Sequence, residues 1–506
     1  MSVSASPPIL TCEQTRALEE RRFRGNEAAE WQAMRSAGEA LAAAVLRDSE
    51  ECGGFPAAGR VLVLVGKGHN GGDALVAARE ILRRFPGAQA AVVFAFGERP
   101  LRPLAQRAWR ELAETGQGRV ASGRAEGQPS FDLSLDGVFG FQFRPPLPPE
   151  AARVLRWANA LPVRVRAAVD LPSGLDEADG FRADFTYATG IVKTPLLGCR
   201  NAGRIRYLDL GFFDEAGPET SADCVLGSGL LAPLAGLRPA ATDKRTFGHL
   251  LVVGGSLGYP GAVLMAVKAA LRSGVGLLTA FVPASLVPAY AAAVPEAMWV
   301  AWPEARGGGL ALRGKSLLQK RLERGTALLM GPGMGRERET LALMKAIVKT
   351  VAIPTLLDAD ALQPEVIKAA RPPLVLTPHA GEFIRIAGKA DLRTFVVKSG
   401  AAVVKKGPVT EVALGGASPG AGSGQLLVYH SFFGGPVLAR GGSGDVLAGL
   451  VGGLLAQTPD DRLLAACRGV VWHGLAADAL ARARGQVAVT TTQLLDYLPA
   501  VLRGQL

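Results

Sequence analysis

At 506 residues, with 48% hydrophobic and 20% charged side chains, the chain is too long for one hydrophobic core and too apolar for a disordered segment, so two globular domains are expected. The net charge of +11 is spread thinly: Arg21, Arg22 and Arg24, like Arg321 and Arg324, stand among acidic or apolar neighbours, which argues against a nucleic-acid stripe and suits a phosphate-rich small ligand. Cys12, Cys52, Cys199, Cys224 and Cys467 lack CxxC spacing, residues 1–20 carry Glu13, Glu19 and Glu20 and no apolar stretch of signal length, and later apolar runs are cut by Lys268 and Arg272. No zinc ribbon, disulfide framework, nucleic-acid partner or membrane span is therefore expected, and a reducing, cytoplasmic setting is.

Residues 13–50 carry helical spacing in two pieces, and residues 61–65 read as a buried strand that enters a glycine-rich loop. A helix is expected from Asp73 to about Phe85, a strand over 90–96, a helix over 101–115 and a strand over 163–169 ending at Asp170. This alternation predicts a mostly parallel, doubly wound, Rossmann-like α/β domain. Around 212–248 the periodicity gives way to Gly, Pro, Ser and Asp, which marks a junction, and the expected division is residues 1–220 and 221–506. A second α/β domain starts with a strand over 249–253 that runs into Gly254, Gly255 and Ser256, with inner strands at 327–330, 354–357 and 402–404. No repeat joins the halves, and apolar residues 286–294 suit either core or subunit interface.

The first glycine-rich loop, residues 66–73 (GKGHNGGD), follows a strand and opens a helix, so its backbone N–H groups can hold an anion. By letter it satisfies GxGxxG, and on that pattern alone a Rossmann oxidoreductase is a fair reading. Two features go further: the doubled glycine followed by Asp73, and the later loop Asp170-Leu171-Pro172-Ser173-Gly174-Leu175-Asp176. With the segment 136–147 between them, these resemble the N-terminal domain of the NAD(P)H-hydrate epimerases, whose loops read NNGGDG and DxPSGLD.

The resemblance implies a potassium ion near Asn70, Asp136 and Ser173, and the hydrated cofactor against His69, Asn70, Gly71, Gly72 and Asp73, against Gly140, Phe141, Gln142, Phe143, Arg144, Pro145 and Pro146, and against Asp170. Carboxylate, amide and hydroxyl oxygens suit a hard cation, and a carboxylate in a cleft can work as acid or base at the hydrated ring carbon. Asp170 is expected to be the proton-exchanging residue, with Lys193 on the next strand as its partner; the bland alternative for Asp170 is a turn or cap. His69 stands where the family has Asn and Ala74 where it has Gly, two departures at the start of the helix.

The second glycine-rich loop, Gly441-Gly442-Ser443-Gly444-Asp445, precedes a stretch apolar all round, hence a buried helix. Its N–H groups can converge on a phosphoryl oxygen while Asp445 accepts the proton of an attacking hydroxyl. A Walker A loop needs a Lys and a Ser or Thr after its last glycine, and neither is present. Residues 244–249, Gly255-Ser256, residues 331–335, residues 358–362, residues 376–382 and Lys406-Gly407 follow in an order that resembles the ribokinase-like ADP/ATP-dependent NAD(P)H-hydrate dehydratases over residues 240–500.

From that resemblance Asp445 is the general base and Gly441, Gly442, Ser443 and Gly444 the anion hole. Ala262, Gly333 and His379 touch the hydrate together with Asp445, and Lys406, Gly407, Pro408, Val409, Thr410 and Gly444 hold the nucleotide. The implied substrates are NADHX and NADPHX, with ADP and magnesium for the dehydratase and a homo-oligomeric state for the whole. The hydrate hydroxyl is phosphorylated and phosphate then leaves, which restores the double bond. Asp358 and Asp360 stand open between ending a strand and orienting magnesium, and His379 and His473 between site and packing. Arg440 departs from the family's approach NPG(M/L)AT and is expected to put a cation beside the phosphate path. The rival reading is a ribokinase-like kinase of a small vitamin or sugar fused to an inactive binding domain.

Overall fold

In the N-terminal half, α1 (Cys12–Phe23) and α2 (Glu27–Ser49) lead into β1 (Arg60–Val65), α3 (His69–Arg84), β2 (Gln89–Phe94), α4 (Pro103–Thr115) and β3 (Val120–Ser122). There follow β4 (Phe131–Gly137), α5 (Pro149–Ala160), β5 (Val163–Val169), β6 (Phe185–Thr189) and β7 (Arg204–Leu208). This computed structural model describes residues 3, 6–124, 130–213, 221–371, 373–415 and 426–505. Helix α1 starts where Thr11 and Gln14 cap each other reciprocally, and α2 where the Asn26 side chain accepts the Ala29 N–H.

The seven strands are parallel, in the order β3-β2-β1-β4-β5-β6-β7. Strand β1 shows why its sequence is a continuous apolar run: Val61, Val63 and Val65 pack in the cluster formed with α2 and α3, while Leu62 and Leu64 pack on the other face with α5. Strand order reverses between β1 and β4, so the connections after these strands part and leave a crevice at their carboxyl ends.

Helix α3 begins at His69, earlier than the expected Asp73. Gly68 caps it in an extended conformation, and the glycines counted as loop signals are needed for packing inside the first turn. A Cβ on Gly71 would stand 2.6 Å from the Gly66 carbonyl oxygen, and one on Gly72 2.5 Å from Met34 Sδ. Lys193 corrects the sequence reading too: β6 ends at Thr189, and Lys193 lies beyond it, where it forms an isolated bridge with Leu10.

The C-terminal half comprises β8 (Asp223–Val225), β9 (His249–Val253), α6 (Pro260–Arg272), β10 (Leu277–Pro283), α7 (Val287–Ala293), β11 (Met298–Trp302), α8 (Lys315–Gln319) and β12 (Ala327–Met330). It continues with α9 (Arg338–Val348), β13 (Thr355–Leu357), α10 (Pro364–Ala369), β14 (Leu374–Leu376), α11 (Ala380–Ala387), α12 (Leu392–Ser399) and β15 (Ala402–Lys405). The last elements are β16 (Thr410–Leu414), β17 (Val428–Ser431), α13 (Ser443–Gln457), α14 (Arg462–Arg484) and α15 (Leu494–Leu502).

Their ten strands run β11-β10-β9-β12-β13-β14-β15-β16-β17-β8, with β16 antiparallel to both neighbours and a reversal between β9 and β12. Leu250 and Val252 of β9 face one apolar cluster and Leu251 and Val253 the other. Helix α13 is buried from Val446 to Ala456, as its all-round apolar sequence requires. It packs on α6 so closely that a Cβ on Gly449 would stand 2.1 Å from the Ala266 oxygen. Residues 286–294 form mostly surface, with Tyr290 and Val294 turned inward. Among the described residues α14 alone is long and apolar enough to cross a membrane, and most of it is buried in the protein.

The chain forms two compact units, Pro7–Ser221 with Arg482–Gly485, and Ala222–Ala481 with Gln486–Leu506 and the first residues. The two sheets bear out the expected fold class: a Rossmann-like doubly wound domain followed by a second α/β domain with the ribokinase-like order of loops.

Candidate active sites

The N-terminal crevice is lined by two adjoining cavities of about 400 and 430 Å³. The loop after β1 supplies Lys67 and Gly68, the first turn of α3 supplies His69, Asn70 and Asp73, and the segment after β4 supplies Val138 to Arg144. Asp170, Thr189 and Lys193 close the far wall. Gly71 and Gly72 lie beneath this surface as packing residues, and Pro145 and Pro146 are exposed beyond Arg144 and do not line either cavity.

Asp170 is buried at the end of β5 with φ at +68°. A non-glycine residue held there costs on the order of 1 kcal/mol or more and persists only when its surroundings fix it. The Asp170 N–H donates to the Tyr187 carbonyl, and the Lys193 ammonium, also buried, pairs with its Oδ1. Burial pushes the Asp170 carboxyl above the usual carboxylate range, and Lys193 opposes that. The cap reading for Asp170 is thereby set aside, since no helix begins there and its carboxylate bonds to a lysine. Asp73, equally enclosed, is raised well above its ordinary value by burial and by Asp170 and Glu19 nearby. His69 is pushed down by burial, and its Nε2 lies 4.0 Å from Glu30.

Behind this wall the Asn70 amide donates to the carbonyls of Val169 at 2.9 Å and Phe139 at 3.3 Å, and Gly140 passes so close that a Cβ would stand 2.3 Å from Asn70 Oδ1. Asp136, fully buried, accepts from the Ser173 N–H at 2.8 Å, the Ser173 hydroxyl at 2.7 Å and the Val138 N–H at 3.2 Å. Burial holds its carboxyl up at about 6, and no side-chain cation pairs with it among the described residues.

In the C-terminal unit the site grows from loops at the carboxyl ends of β9, β12, β13, β14 and β15 facing the start of α13. Gly442, the cap of α13, sits at φ +90° against Met265, and the Ser443 hydroxyl donates to the Leu438 carbonyl at 2.7 Å. The Lys406 ammonium lies beside Gly444, 3.2 Å from where a Cβ would be, and bonds to Asp358 Oδ1 at 3.1 Å. Burial and the carboxylates of Asp358, Asp360 and Glu382 push Asp445 up to about 7, against the pull of Lys406. A base poised near neutrality results.

The remaining expected residues fall around this centre. Gly333, at φ +64°, approaches Ala262 closely, with 3.0 Å from its would-be Cβ to that of Ala262. His379 caps α11, with Nδ1 accepting from the N–H groups of Gly381 and Glu382, and its ring is largely exposed. The Lys406 backbone forms a β-bridge beside His379, its N–H donating to the Pro378 carbonyl at 2.8 Å, and Gly407, Pro408 and Val409 turn the chain from β15 into β16, where Thr410 starts the strand. Asp358 and Asp360 end a strand and anchor loops: Asp358 also accepts from the Thr377 hydroxyl at 2.7 Å, and Asp360 from the Gly335 N–H and Arg336. His473 is buried and pushed down to about 4 by burial, so it packs as a neutral ring.

Arg440 corrects the sequence reading. Its guanidinium donates to the carbonyls of Gln486, Val487 and Val489 at 2.6 to 2.9 Å, while the Thr491 hydroxyl holds the Gly441 carbonyl at 2.8 Å. The cation is spent on tethering the anion-hole loop to the 486–491 segment. Sequence reasoning also passed over Glu19 and Glu30, which line the N-terminal cavity from α1 and α2, because isolated glutamates on amphipathic helices look like solvated surface.

Two mostly parallel sheets, each with a glycine-rich helix start and a buried aspartate at the carboxyl end of a strand, define a fused two-site α/β enzyme. Residues 30–194 match the YjeF-related N-terminal family and residues 250–500 the NAD(P)H-hydrate dehydratase family. A bifunctional NAD(P)H-hydrate repair enzyme from Gloeobacter violaceus is 39% identical over 92% of this chain and 92% of its own length. An ADP-dependent (S)-NAD(P)H-hydrate dehydratase from Xanthomonas campestris is 38% identical over 51% of this chain and 90% of its own. A solved ADP/ATP-dependent NAD(P)H-hydrate dehydratase from Bacillus subtilis, co-crystallised with ATP and magnesium, is 27% identical, covers 53% of this chain and 93% of its own, and has a TM-score of 0.45. The chain belongs to the family of bifunctional NAD(P)H-hydrate repair enzymes.

Proposed function

We propose that this protein repairs hydrated nicotinamide cofactor: residues 1–220 interconvert the R and S epimers of NADHX and NADPHX, and residues 221–506 dehydrate the S epimer with ADP. The observation that carries the reading is Asp445, a base raised to about 7 at the mouth of a glycine-lined helix start with the Lys406 ammonium beside it. Asp445 takes the proton of the hydrate hydroxyl, whose oxygen attacks the terminal phosphorus of ADP, and AMP departs. The N–H groups of residues 441–444 and Lys406 hold the charge that builds on the transferred group. Phosphate then leaves the ring carbon and a proton leaves its neighbour, which restores the double bond. Phosphate is a far better leaving group than hydroxide, and that is why a nucleotide is consumed.

Asp170 is the proton-exchanging group of the other site, with the Lys193 ammonium paired to its carboxyl. Asn70, Asp136 and Ser173 would hold potassium: the donor set is all oxygen, and buried Asp136 has no protein cation beside it among the described residues. Bound there, the ion would supply the charge that Asp136 lacks. Asp358 accepts from Thr377 and Lys406, and Asp360 from Gly335 and Arg336, so each carboxylate orders its loop. Magnesium would neutralise the phosphates with which it arrives. A cytoplasmic setting, supported by five unpaired cysteines, and a homo-oligomer complete the reading.

The test is recovery of NADH absorbance from a mixed-epimer hydrate with ADP and magnesium. Complete, ADP-dependent recovery supports the two-site reading. Recovery of the R half no faster than its spontaneous epimerisation sinks the epimerase assignment, and no recovery at all favours the small-molecule kinase.

A further inference from the structure

Inversion at the hydrated carbon demands two proton-handling groups. The hydroxyl stands beside the ring nitrogen, so its C–O bond can break as the nitrogen electron pair forms a C=N bond, and the oxygen leaves as water once it has gained a proton. Water then adds to the opposite face, the C=N pair returns to nitrogen, and one proton is released. One group gives a proton and another takes one, with no oxidant or reductant. The reading above names a single group, Asp170.

The cavity walls carry other candidates. Asp73 is buried in the first turn of α3, where burial and the neighbouring Asp170 and Glu19 carboxylates push it up. His69 is turned toward Glu30, with its Nε2 4.0 Å from that carboxylate. Glu19 differs from both. It projects from α1 into both cavities, within electrostatic reach of Asp170, Lys193 and Glu30, and has no hydrogen-bond or ion-pair partner among the described residues. Burial first, then Asp170 and Glu30 against the pull of Lys193, push its carboxyl up to about 7. Arg16, Glu20 and Arg24 of its own helix region, with Lys67, Arg102 and Arg144 on the cavity walls, are the remaining charged groups that line these cavities among the described residues.

We propose that Glu19 is the second catalytic carboxyl of the N-terminal cavity, the acid that protonates the departing hydroxyl while Asp170, paired with Lys193, takes the proton of the returning water. In the opposite direction the two exchange roles, and solvent resets the pair. This rests on the epimerase reading and deepens it. It also gives α1 a purpose that its sequence hides, since the helix caps the cavity with one inward carboxyl on an otherwise polar surface.

The experiment uses the full-length protein and pure R hydrate, with ADP and magnesium drawing off the S epimer. For the wild type, R consumption falls as pH rises through about 7, because Glu19 must carry its proton. Glu19→Gln lowers R consumption roughly 10²-fold and flattens that limb, and S dehydration is unchanged. Glu19→Ala, measured with added formate or acetate, regains rate in proportion to the undissociated acid, which a packing role would not produce. Wild-type rate and limb in Glu19→Gln would overturn the proposal, as would loss in Glu19→Ala that no small acid restores while its melting temperature matches wild type. A wild type that never consumes the R epimer would instead overturn the epimerase reading itself.

Discussion

The two halves solve one problem with different placements of a lysine. Each sheet reverses its strand order, each puts a buried aspartate at the carboxyl ends of its strands, and each has a non-glycine residue at positive φ there, Asp170 at +68° and Ala359 at +50°. In the N-terminal half Lys193 pairs with Asp170, the proposed proton-exchanging residue. In the C-terminal half Lys406 pairs with Asp358, next to Asp445, the proposed base. The first arrangement sets an ammonium against the Asp170 carboxyl, opposing the upward push of burial. The second leaves Asp445 without an ion-pair partner among the described residues, pushed up to about 7, and in the proposed reaction the cation would stand where phosphoryl charge develops.

The comparison breaks first at the bases. Asp445→Asn is expected to lower ADP-dependent recovery of both epimers by roughly 10²- to 10⁴-fold in the absorbance assay, because every molecule exits through that site. Asp170→Asn is expected to slow the R epimer to its spontaneous rate and spare the S epimer; slowing of both would mean that the halves do not work separately. The lysine argument is sharpened by pH. As Asp445 must be unprotonated, kcat/KM for S-hydrate dehydration rises as pH climbs through about 7 and levels above it. Asp358→Asn removes a negative neighbour and releases Lys406, both of which favour the charged base, so this limb moves to lower pH in the pH-rate profile. An unmoved limb would sever Asp358 from Asp445. The smallest effect belongs to Arg440→Met, which loosens the tether of the anion-hole loop: KM for ADP rises by about tenfold or less and KM for the hydrate stays.

By itself the sequence determined the two α/β domains and the glycine-rich helix starts in each. Parallel strands buried on both faces must be continuous apolar runs, as in 61–65 and 249–253, and a run of small residues such as 441–444 marks a helix start at the carboxyl ends of the strands. These are local demands, written in neighbouring residues. Short inner strands such as 374–376 and the true start of α3 at His69 were less legible, because their apolar or glycine letters serve packing partners remote in the chain. Only the tertiary structure decided which charges meet. Lys406 finds Asp358, Arg440 finds the 486–489 carbonyls, and Glu19 sits in a cavity wall with no ion-pair partner among the described residues, whereas the Lys193–Asp170 pair was already expected from the sequence. Such pairings, and the proton affinities that follow from them, depend on distance and burial, which residue order along a chain does not encode.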